Sequence, residues 1–113
     1  MDINNNSFDV DVHVYPIISK RSGEVVRNQY NIILATSDSI YYIFQSYESK
    51  CAMVVHKNGH RTLVIYPVVF CSKTTSKYFY AWLQDKNLDF YYNLTRDYFK
   101  THEEAKVYTM EID

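Results

Sequence analysis

Six consecutive side chains, Ser72-Lys73-Thr74-Thr75-Ser76-Lys77, form the most concentrated run of hydroxyl and ammonium groups in this 113-residue chain. They sit where an apolar run ends at Phe70 and an amphipathic one begins. Two lysines beside the unpaired amides of a helix start could hold a phosphate or another anion. Ser72, Lys73, Thr74, Thr75 and Lys77 are the candidate anion-binding residues. No glycine-rich loop accompanies them, so this is not a nucleotide P-loop. Helix capping explains the same residue types more cheaply, since Ser and Thr are favoured at an N-cap and contribute about 1 kcal/mol there.

His56 and His60 flank Asn58-Gly59 and could approach each other across a hairpin. A zinc site needs three or four ligands, so two histidines beside a turn read as solvated side chains. Cys51 and Cys71 lie in apolar stretches, where cysteine acts as a small buried hydrophobe rather than a nucleophile. Two cysteines make no disulfide framework. The residues therefore point to no catalytic group, no metal and no cofactor.

Aromatic content carries more information. The chain has 12 Tyr, 6 Phe and 1 Trp, more tyrosine than one core can absorb. Tyrosine is favoured at protein interfaces, stacks on bases, and also fills exposed strand positions. Tyr41, Tyr80 and Tyr91 are the candidate partner-binding residues. Tyr41 alternates against Ile40 and Tyr42, and Tyr80 lies off the Phe79–Trp82–Leu83 stripe. Net charge is −1, from 12 basic and 13 acidic side chains. That balance excludes a strong nonspecific DNA binder and an acidic DNA mimic.

These residues must be positioned by a sheet and helices. Phe8, Val10, Val12 and Val14 alternate with polar residues, which predicts a strand over residues 8–15 ended or pushed to an edge by Pro16. Further strands are predicted over 24–35, 39–47, 51–56 and 61–70. A break falls at Ser49 or Lys50, and Asn58-Gly59 demands a tight turn with positive φ. The period then changes, and Tyr78, Phe79, Trp82 and Leu83 predict a helix over 75–86. A second helix is expected over 88–100 and a last strand over 105–112. The fold class is α+β: a five- or six-stranded antiparallel curled sheet, or SH3-like small barrel, followed by one or two helices. Val12, Val14, Ile33, Ile43, Val54, Val64, Tyr78, Trp82 and Leu83 are the predicted core.

Length predicts a single domain over 1–113, with residues 1–7 a flexible arm. The N-terminus lacks the basic start and apolar run of a signal peptide, and no apolar run approaches a bilayer span. A cytoplasmic protein with no membrane contact is the expectation.

Gln45-Ser46-Tyr47, Cys51-Ala52-Met53-Val54 and Cys71-Ser72-Lys73-Thr74-Thr75-Ser76-Lys77-Tyr78 carry a resemblance. Across residues 42–83 the chain resembles small bacteriophage-encoded proteins of unknown function. These share a Ser-Tyr, a following strand, a glycine turn and a Tyr/Cys-Ser-x-Thr-Thr-x-Lys-His/Tyr segment that opens a helix. The resemblance brings no activity with it, but it implies a viral origin. With the aromatic content, it points to a non-enzymatic phage protein in the host cytoplasm that binds and inhibits a host protein, an anti-CRISPR-like inhibitor being the sharpest version. The alternative is a small nucleic-acid-binding accessory protein. Self-association as a homodimer is a further expectation.

Overall fold

The computed structural model describes residues 10–112, and the predicted arm at 1–7 lies outside them. Six strands form one antiparallel sheet in chain order: β1 (Asp11–Ile18), β2 (Val25–Ala35), β3 (Ser39–Ser46), β4 (Ser49–Lys57), β5 (His60–Ile65) and β6 (Tyr108–Glu111). The sheet stays open, with β1 and β6 as its two edges, so the barrel alternative is set aside. Two helices follow β5: α1 (Lys73–Asp85) and α2 (Tyr91–Thr101). The α+β class and the order of sheet before helices are as the periodicity predicts.

Local chemistry sets the turns. Asn58 (φ 53) and Gly59 (φ 77) both take the left-handed region, as a two-residue hairpin of this kind requires. The β3–β4 turn is Tyr47-Glu48 rather than the predicted break at Ser49 or Lys50, and Tyr47 adopts φ 56. Pro16 does not end β1. Its missing N–H is tolerated because β1 is an edge strand, and a bulge lies between Pro16 and Ile18.

The fifth strand stops at Ile65, short of the predicted Phe70. Pro67 opens a 3-10 turn over Pro67–Phe70, using its fixed φ at a helical first position. The apolar run therefore holds two elements, and hydrophobicity alone could not separate them. Ser72 then caps α1, its Oγ accepting from the Thr75 N–H at 3.1 Å. The helix starts two residues before the predicted Thr75, and Asn87 (φ 59) follows its end in the left-handed conformation. Leu88, predicted inside the second helix, precedes it and is buried. Lys106 lies before β6, which is shorter than the predicted 105–112.

The core lies between the helices and one face of the sheet. Phe44, Ala52, Val54, Leu63 and Ile65 from the strands meet Val69, Phe79, Trp82, Leu83 and Leu88. The Trp82 ring centroid lies 6.1 Å from Phe44 and 6.5 Å from Phe79. Its indole N–H donates to Asn31 Oδ1 at 3.0 Å, which satisfies the one polar atom the ring buries. Val54, Trp82 and Leu83 are buried as predicted. Val12 and Val14 are not: they are 53% and 57% exposed. Ile33, Ile43, Val64 and Tyr78 are only half-buried. Val12, Val14, Ile43 and Val64 share a cause, since they point to the side of the sheet that the helices do not cover.

Candidate functional site

Register defines that second side. Residues paired directly across antiparallel strands share a face, and successive residues alternate. Phe44 touches Phe79 and Trp82, so it marks the helix side. Ile43 and Gln45, its neighbours, point the other way. One cross-strand row on that open side reads Val14, Ile32, Ile43, Met53, Val64, Thr109. The adjoining row reads Val12, Leu34, Tyr41, Val55, Thr62, Glu111. Pro16, Tyr30, Gln45 and Lys50 make a third.

The first row is apolar across five strands, and the second across four. No charged residue enters either before Glu111 on the β6 edge. The equivalent helix-side rows are more polar at β1 and β2, with His13, Tyr15 and Asn31. The sheet is thus apolar on both faces, yet among the described residues only one face has a helical layer. A shallow concavity of about 710 Å3 lies at one end of the open side, lined by Val14, Tyr30, Ile32, Gln45 and Tyr47 among others. Half-burial of Ile32, Ile43, Met53 and Val64 comes from their crowding one another along the rows.

The predicted partner-binding tyrosines do not converge. Tyr41 is on the open face, half-buried between Leu34 and Val55. Tyr80 is 38% exposed on the helical layer, its ring 5.2 Å from Tyr92. Tyr91 is half-buried and packs against the core beside Phe90. Sequence reasoning missed Leu94, exposed on α2; Phe90, beside Tyr91, is 68% exposed. It also missed the open face as a unit. The available signal was that β2 and β3 offer apolar residues at both parities, as in a strand covered on two sides.

The predicted anion-binding run is largely spent on structure. Ser72 caps the helix, and the Ser46 and Thr75 hydroxyls bond to each other at 3.0 Å in a buried position. Ser76 bonds to the Tyr92 hydroxyl. Lys73 and Thr74 are exposed, and the Lys77 ammonium lies 5.2 Å from the Tyr78 ring centroid.

The remaining titratable groups have structural neighbours. The His56 ring stands edge-on to Tyr42, and His60 Nδ1 is 3.7 Å from Glu111. No group of three or more metal-ligating side chains occurs among the described residues. Hydroxyls of Ser39 and Thr36 donate to Asp38, and these bonds, with the charge of Lys57, hold its carboxyl below the usual range. Lys86 rests over Trp82 and Tyr42, at 4.8 and 5.0 Å from their ring centroids, and burial lowers its pKa.

The cysteines differ from the expectation that both are buried. Cys51 is fully buried and burial pushes its thiol pKa up, whereas Cys71 is exposed just after the 3-10 turn. A thiol reagent should therefore modify one equivalent rapidly, at Cys71, and Cys51 only as the fold opens. Two equivalents reacting at one rate would contradict that burial.

No helix among the described residues is long and apolar enough to cross a membrane. The fold and the open face define the class: an α+β protein with a one-sided helical layer and an apolar sheet face. No protein-family model, curated protein or solved structure matches the chain.

Proposed function

We propose that this is a non-enzymatic binding protein that works by burying apolar surface against other proteins. The open sheet face carries this reading. Folded chains that stay alone rarely expose contiguous apolar patches beyond a few hundred Å2, and larger ones mark association sites. The bacteriophage resemblance makes the natural target a host protein, inhibited by steric occupation, with a component of an anti-phage defence system as the sharpest form. The two central rows carry no lysine or arginine, so a nucleic-acid backbone would find no cation there. Tyr80, Phe90 and Leu94 supply further apolar surface on the helices.

Capture from host lysate, followed by single substitutions, tests the reading. Tyr80→Ala should weaken the captured complex by at least about 2 kcal/mol while leaving the fold intact, as hot-spot aromatics do, and Tyr41→Ala should weaken association through the open face. Lys73→Ala and Lys77→Ala should do neither. If the lysine changes abolish function and the tyrosine changes have no effect, an anion-binding protein with a phosphate-bearing ligand replaces this one.

A further inference from the structure

The open face is wide, and its two central rows are apolar and uncharged until Glu111 at the β6 edge, with Lys50 and Lys57 in the rows that flank them. Its occupant must be present wherever the chain is made. A face of this kind left bare until a foreign target arrives would be an aggregation site in the meantime. A second copy of the same chain is always at hand. We infer that two copies pack open face to open face about a two-fold axis, which rests on the reading of that face as a protein-association surface.

The geometry suits a second copy. Two sheets stack about 10 Å apart with their strands roughly 30° from alignment, and interleave apolar side chains. With strands about 4.8 Å apart and about 3.3 Å per residue, the three rows together cover roughly 500 Å2 per copy. Two copies would bury roughly 1,000 Å2, the size at which a specific interface begins. The composition fits as well, because homodimer interfaces are more apolar than those that form and part. Self-pairing also needs no charge complementarity, and these rows offer none. Around the two-fold, Ile43 and Met53 lie near the middle of the face, on central strands β3 and β4. Val12 and Val14 lie toward the β1 edge, which explains side chains half-exposed in the single chain. The product is a four-layer body, helices outermost, with Tyr80, Phe90 and Leu94 of both copies still free to meet a target.

Light scattering on a sizing column, or sedimentation over a range of micromolar concentrations, reads the assembly directly. The full chain should run at twice the mass of one chain. Ile43→Lys should raise the dimer dissociation constant at least about a hundredfold, since symmetry places each substitution in the interface twice. Val14→Lys guards against a folding defect, because that edge-strand residue is already 57% exposed in the single chain. It too should give a folded monomer, while Leu94→Lys on α2 should remain dimeric. A wild-type chain that is monomeric throughout overturns the proposal. So does a dimer that survives both face substitutions. If that monomer loses a captured bacterial protein when Ile43 becomes lysine, a foreign protein occupies the face and the association reading stands. If neither property changes, the association reading fails with it.

Discussion

Trp82→Ala should lower the stability of the fold by about 3–5 kcal/mol. The ring is 2% exposed and lies against Phe44 of the sheet and Phe79 of its own helix. Its removal would open a cavity where helix and sheet meet, and packed interiors collapse around such holes only in part. Two further losses follow. Asn31 Oδ1 would lose its indole donor, and Lys86 one of the two rings beneath its ammonium. Domains of this size hold only about 5–15 kcal/mol in all, so the variant should unfold at markedly lower urea and temperature. Trp82→Phe should recover part of the loss. A shift below about 1 kcal/mol for the alanine variant would mean that the helix does not dock as described.

Leu63→Asp and Val64→Asp should behave oppositely although the residues are neighbours. Leu63 is fully buried under the helices, while Val64 points to the open face between Met53 and Thr109. A carboxylate at position 63 would lose the leucine's packing and bury a charge with no partner, a cost of several kcal/mol. That is comparable to the whole stability, and the variant should show no cooperative melting transition. At position 64 the carboxylate meets solvent or a dimer interface, not the core. Far-UV circular dichroism and a cooperative transition should persist. If both variants unfold, the open face is as much core as the helix side, and the one-sided layer is wrong.

Much of the architecture can be read from residue order. Alternation marks the strands, Asn58-Gly59 marks one hairpin, and the hydroxyl cluster at Ser72 marks the start of the helix that follows the sheet. What alternation cannot settle is which parity faces the core when both parities are apolar. In β1, Val12 and Val14 look like the buried set because His13 and Tyr15 are the more polar set. Yet His13 and Tyr15 lie on the helix side, at an edge beyond the reach of the packed layer, so their polarity costs little. The run ending at Phe70 failed for a different reason: β strand and 3-10 turn demand the same apolar residues, and only Pro67 signals the switch. The open face is half-legible. Tyr41 was singled out by its parity, but a face is a property of register, and register is not written in any one strand.

The chain-order sheet has a consequence for how it assembles. Hairpins β1–β2 through β4–β5 close over short turns, so each forms locally and quickly. Strand β6 is different, because residues 66–107 separate it from its partner β5. Closing so long a connection costs entropy unless the helices have first collapsed it into a compact unit. Until that happens β5 is the raw border of a growing sheet, with the backbone of Leu63 and Ile65 unpaired on one side. An unpaired border is a template for any other extended chain. The interval between β5 joining the sheet and β6 sealing it is then when a nascent chain is most open to wrong partners, and the speed of helix docking sets its length.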